Sequence, residues 1–96
     1  MAGGPYSIDF SEHFDAYLAK VPDEVRRIFF KRMENKYKTY PNFEHKRGGV
    51  PFYSDRIEGG KYRVCFTQNQ NQRVMVFIGD HKAYDTFLAE WSNKFQ

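Results

Sequence analysis

The four residues Glu58-Gly59-Gly60-Lys61 constrain this chain more than any others. A Gly-Gly pair between two apolar-rich runs is a hairpin turn, because glycine takes positive φ at successive positions without steric cost. Residues 52–58 (FYSDRIE) and 62–67 (YRVCFT) are therefore predicted to be adjacent antiparallel strands. The polar stretch 68–72 (QNQNQ) is a second turn, and 73–78 (RVMVFI) a third strand. Its nearly continuous apolar run predicts a central position covered on both faces. Gly79-Asp80-His81 breaks the strand with a loop. Ala83, Tyr84, Phe87, Leu88, Trp91 and Phe95 then recur at helical spacing.

The first half reads as helical backing for those strands. Tyr6 to Phe10 alternates apolar and polar residues, the period of a short strand with one buried face. Ser11 is a candidate N-cap, and Phe14, Tyr17, Leu18 and Val21 predict a short helix to about Lys20. Pro22-Asp23-Glu24 restarts a helix, with proline tolerated at its start and acids favoured near its positive end. Val25, Ile28, Phe29, Met33, Tyr37 and Tyr40 form its apolar stripe over about 22–39, and Tyr40-Pro41 ends it. Residues 41–51 (PNFEHKRGGVP) lack periodicity and are predicted to be a loop. The order is β-α-α-β-β-β-α, an α+β fold with an antiparallel sheet backed by an α-hairpin and a C-terminal helix. Ninety-six residues predict one domain, 1–96, with 1–5 as a flexible tail.

Composition narrows the class. Aromatic residues make up 19% of the chain, enough to furnish a packed interior and to exclude disorder. The net charge of +3 permits an anionic partner without identifying one. Cys65 is the single cysteine, which excludes an internal disulfide and a cysteine-based zinc site. Its place inside a strand predicts a buried thiol. No signal-like leader and no apolar run of membrane-spanning length is present, so a cytoplasmic location with no membrane partner is expected.

Few groups remain that can carry chemistry. There is no Walker loop, dinucleotide fingerprint, HExxH or GxSxG. The histidines, His13, His45 and His81, lack ligand-like spacing, so neither a metal nor another cofactor is expected. Arg56 and Arg63 lie on adjacent strands across the Gly-Gly hairpin, so they can approach one another. Two cations held together make sense where a phosphate will sit between them, unless each is paired with a carboxylate such as Asp55 or Glu58. His81, at the mouth of the sheet, is either a general acid or base or a residue capping the last helix. Tyr84 and Phe87 share a helical face, where they either stack on a base or fill the core. Arg26, Arg27, Lys31, Arg32, Lys36 and Lys38, answered only by Glu34, make the second helix either a solvated face or a phosphate-tracking one.

The element order, the Tyr62-Arg63-Val64-Cys65-Phe66 strand and the ending VMVFIGDHKAYDTF together resemble the RelE/ParE toxin superfamily. The resemblance runs from Tyr6 to about Trp91. RelE-like members are ribosome-dependent mRNA endoribonucleases of type II toxin–antitoxin pairs, acting without metal by attack of a ribose 2′-hydroxyl on its own phosphodiester. The resemblance implies a cognate antitoxin, the ribosome and mRNA in its decoding site as partners. It also implies residue roles. Arg63 matches the strand arginine at the scissile phosphate, and Arg56 a basic residue on the preceding strand. His81 falls where relatives place an arginine or histidine as acid or orienter. Phe87, or else Tyr84, matches an aromatic that positions a nucleotide. Ser54 replaces a lysine that some relatives carry, which leaves Glu44, His45, Asp55 and Lys46 as candidate bases, with Glu44 preferred. Lys46, Arg47 and Lys31 are expected to bind substrate. The alternative on the same fold is a ParE-like gyrase-inhibiting toxin, or an inactive domain that binds RNA or protein.

Overall fold

The computed structural model describes residues 6–39 and 52–95, with side chains up to Trp91. The elements are β1 (Ser7–Phe10), α1 (Phe14–Lys20), α2 (Asp23–Arg32), β2 (Tyr53–Ile57), β3 (Tyr62–Asn69), β4 (Gln72–Asp80) and α3 (His81–Phe95). One turn of π-helix, Met33–Tyr37, continues α2. The element order is the one expected. The proposed tail at 1–5 and the proposed loop at 41–51 lie outside the described residues.

The sheet order is β1-β4-β3-β2. β2, β3 and β4 form the expected antiparallel meander, with Tyr53 opposite Phe66 and Tyr62 opposite Asp80. β1 joins the far edge in parallel with β4, Ser7 beside Gln72, so the sheet is mixed. β4 is interior, as its continuous apolar run predicted. A β-bulge explains how that run serves both faces. Cys65 pairs with Phe77 but Phe66 pairs with Met75, so Val76 is an extra residue. Met75 and Ile78 turn to one core, while Val76 and Phe77 turn to the other.

The larger core lies under α1 and α2: Phe14, Val21, Val25 and Phe29 pack with Ile57, Val64, Phe66, Met75 and Ile78. Each such side chain, fully buried, stabilises the fold by about 1.5–3 kcal/mol. The smaller core lies under α3, where Tyr84 and Leu88 cover Cys65 and Phe77. Cys65 is buried, as its strand setting predicted.

The helix ends differ from expectation in two places. Ser11 serves α1 through its backbone carbonyl, which accepts the Phe14 N–H at 3.1 Å, and not through a side-chain cap. The histidine loop after β4 does not exist: the strand runs to Asp80 and α3 begins at His81. Asp80 makes this possible by capping the helix, its Oδ1 accepting the Ala83 N–H at 2.9 Å. Between the first two helices, Arg26 donates to Leu18 O at 3.1 Å and Val21 O at 2.8 Å, capping the last turn of α1 from α2. Among the described residues, no helix is long and apolar enough to cross a membrane.

Candidate functional site

Alternation along β2 and β3 decides which side chains meet. Arg56 lies directly opposite Arg63 in the antiparallel register, so both side chains emerge on the same face. Cys65, two residues from Arg63, belongs to the α3 core, so that face is the one α3 covers. Like charges placed directly opposite are destabilising, and among the described residues no carboxylate is bonded to the pair. Arg63 is 7% exposed, its Nε has no hydrogen-bond partner among the described residues, and no carboxylate pairs with it there. Its guanidinium lies over the Tyr84 ring, 5.3 Å from the centroid. Arg56 is exposed, its Cδ 3.9 Å from where a Cβ would stand on Gly60. The carboxylates considered as alternatives, Asp55 and Glu58, are not bound to either arginine.

Asp55 is occupied elsewhere. It points to the opposite face, where its carboxylate accepts hydrogen bonds from Arg32 at 2.9 Å, Lys36 at 3.0 Å and Tyr37 Oη at 2.8 Å. Burial alone would raise this carboxyl, but the bonds from Tyr37, Lys36 and Arg32 outweigh it and hold the pKa below the ordinary value. Burial first, and then the neighbouring Asp55 charge, pushes the Tyr37 phenol well above its usual range. A carboxylate so engaged is not a general base, and Asp55 drops out of that role.

The same contacts answer the basic stripe of the second helix. Arg32 and Lys36 bind Asp55, Lys38 binds Glu34, and Arg26 binds Asp23 as well as the end of α1. Those four do not form a phosphate track. Lys31 and Arg27 remain exposed, on a helix that packs against the opposite face of the sheet.

The two aromatic candidates both pack under α3. Tyr84 is 2% exposed, held against Phe77 and beneath the Arg63 guanidinium, which leaves no open ring face for a base. Phe87 is half-buried and stacked on Phe77 at 4.7 Å, with Phe52 at 5.2 Å and Tyr17 at 6.0 Å. Both rings serve the packing of α3. His81 reaches the hairpin instead, with Nε2 2.9 Å from Gly60 O. Glu44, His45, Lys46 and Arg47 lie outside the described residues.

One structural cation escaped the sequence reading. Arg73 opens an apolar strand, and it is fully buried. It donates to Gln68 Oε1 at 2.9 Å and Tyr37 O at 2.8 Å, and lies 3.7 Å from the Tyr6 ring centroid. The only signal was its place between turn residues and a core strand.

No family model and no curated protein matches this sequence. Solved structures do. A chain of the intact E. coli RelBE toxin–antitoxin complex is 20% identical, with a TM-score of 0.65 over 78% of this chain and 95% of that one. A chain of the toxin–antitoxin complex RelBE2 from Mycobacterium tuberculosis is 17% identical, with a TM-score of 0.67 over 81% and 93%. A mutant E. coli toxin RelE in the free state is 19% identical, with a TM-score of 0.66 over the whole of both chains. At such identities the likeness is one of fold, and it agrees with the resemblance carried by the Tyr-Arg strand. The chain has the fold of the RelE toxins.

Proposed function

We propose that this chain is the toxin of a toxin–antitoxin pair and an endoribonuclease that cuts mRNA in the decoding site of the ribosome. The observation that supports this reading best is the cross-strand pair of Arg56 and Arg63, one exposed and one held in place, with no carboxylate between them among the described residues. Attack of a ribose 2′-oxygen on the adjacent phosphorus forms an O–P bond as the bond to the 5′-oxygen breaks. The products are a 2′,3′-cyclic phosphate and a 5′-hydroxyl, the departing oxygen taking its proton from water. Negative charge builds on the phosphorane oxygens between these states. A guanidinium fixed beside them stabilises that charge without reorganising. Arg63, oriented by Tyr84, has this role, and Arg56 receives the phosphate from the open side. Glu44 is the proposed base for the 2′-hydroxyl, with Lys46 and Arg47 as further phosphate ligands from the same segment. The work would be done in the cytoplasm, where message and ribosome meet.

A cognate antitoxin is part of the proposal. RelE chains of this fold occur in complex with RelB in the solved structures from E. coli and Methanococcus jannaschii. A basic chain of +3 suits an acidic partner segment.

The test is induced expression of wild type and Arg63→Ala in a bacterial host, with transcript 5′ ends mapped. Growth arrest with new 5′ ends inside translated codons, lost in Arg63→Ala, supports the nuclease. Arrest without new ends would point to a protein target such as gyrase and overturn it.

A further inference from the structure

The β2–β3 hairpin is built from three successive residues of positive φ, Glu58 at +58°, Gly59 at +63° and Gly60 at +90°. Glu58 has a side chain in a region that disfavours one, so the turn carries local strain. Two short backbone bonds close it, Gly60 N–H to Ile57 O and Lys61 N–H to Glu58 O, both 3.2 Å. The third tie comes from another element: His81, the first residue of α3, with Nε2 2.9 Å from the Gly60 carbonyl oxygen. A carbonyl oxygen only accepts, so Nε2 carries the hydrogen in this arrangement.

That bond matters because of what stands beside it. The stem of Arg56 passes over Gly60, and Arg63 follows Gly60 by three residues. Arg63 in turn rests on Tyr84, which is three residues after His81 and therefore on the same side of α3. The helix thus holds the hairpin at two places one turn apart, its tip through His81 and its arginine through Tyr84. A general acid would have to aim its N–H at the departing 5′-oxygen. Here the far nitrogen of the ring aims its N–H at the backbone.

We propose that His81 is a positioning residue. Its Nε2–H clamps the Gly60 carbonyl to the start of α3 and thereby sets the spacing and direction of the Arg56–Arg63 pair, and it does not pass a proton to the leaving group. The consequence for cleavage rests on the nuclease reading above, while the clamp itself does not.

The experiment compares wild type, His81→Ala and His81→Gln in a reconstituted translation system, measuring the rate of codon cleavage. Glutamine offers an N–H donor at a similar reach but cannot serve as an acid. Loss of one such hydrogen bond slows His81→Ala by roughly tenfold, whereas His81→Gln stays within about threefold of wild type. His81→Gln falling as far as His81→Ala would overturn the proposal. Nitrogen NMR of the folded chain supplies an arm that needs no activity. The neutral ring is expected as the Nε2–H form, and a predominant Nδ1–H form would overturn the clamp. Amide exchange at Gly60 and Lys61 should quicken in His81→Ala and recover in His81→Gln, and unchanged exchange would count equally against it. A wild type that cuts nothing removes the nuclease reading alone, and the NMR and exchange results then decide the clamp.

Discussion

Asp55 and Arg56 are neighbours on one strand, and alternation sends them into opposite electrostatic circumstances. On the α2 face, Asp55 is shared by Arg32, Lys36 and Tyr37, so each charge is answered. On the α3 face, Arg56 meets Arg63 and no acid arrives among the described residues. The first arrangement closes a gap between a helix and a strand and is complete as it stands. The second makes physical sense when an anion is added. The contrast separates cations that hold the fold together from cations available for a ligand, a distinction that net charge cannot make.

Exchanging the two kinds of loss would break this comparison. Arg63→Ala is expected to lower cleavage by about 10²–10³-fold, the usual effect of removing one preorganised donor to a transition-state anion. Its melting temperature should move little. Asp55→Asn should do the reverse, destabilising the fold by about 2 kcal/mol because Arg32 and Lys36 lose their counter-charge. Cleavage measured well below its melting temperature should persist. Matching losses of stability and activity in both variants would erase the distinction.

Acid sharpens the same contrast. The folded Asp55 carboxyl has a pKa below its ordinary 3.8. Its contribution is therefore fully present above that ordinary value and is lost as pH falls toward the lower, folded one. A urea titration should show wild type losing stability over this acid window. Asp55→Asn, with no carboxyl to protonate there, should show a shallower acid limb.

Two further changes probe the seat of α3 and the hairpin turn. A Cβ on Gly79 would stand 2.7 Å from Phe77 Cζ and 3.0 Å from Ala83 Cβ. Gly79→Ala should therefore cost about 2 kcal/mol by overpacking the seat of α3, read by thermal or urea unfolding. Glu58→Gly should stabilise by about 0.5 kcal/mol, since glycine accepts the +58° φ without strain. A destabilised Glu58→Gly would mean that the Glu58 side chain holds the turn through a contact worth more than its strain.

Much of this was legible in the sequence because the signals were local. The Gly-Gly turn fixes a two-strand register, and register alone puts Arg56 opposite Arg63. The continuous apolar run placed β4 in the interior. What escaped depends on partners far along the chain. Four residues of β1 hold no information about a parallel neighbour 65 positions away, as in Ser7 beside Gln72. The cations of α2 looked unanswered because Asp55 follows Arg32 by 23 positions. Tyr84 and Phe87 have the same spacing whether they stack on a base or fill a core, and only the position of Phe77 decides between them.

The extra residue at Val76 acts on β4 as a frameshift acts on a message. Upstream of it, odd-numbered positions such as Met75 belong to the helical-hairpin layer; downstream the assignment inverts, and Phe77 and Gly79 address the other layer. The seat of α3, and with it the reach of His81 to the hairpin, is therefore decided by a residue count upstream. No inspection of the arginine pair alone would reveal that dependence. A sequence can keep every side chain of this site and still lose it by losing one position in the middle of an apolar strand.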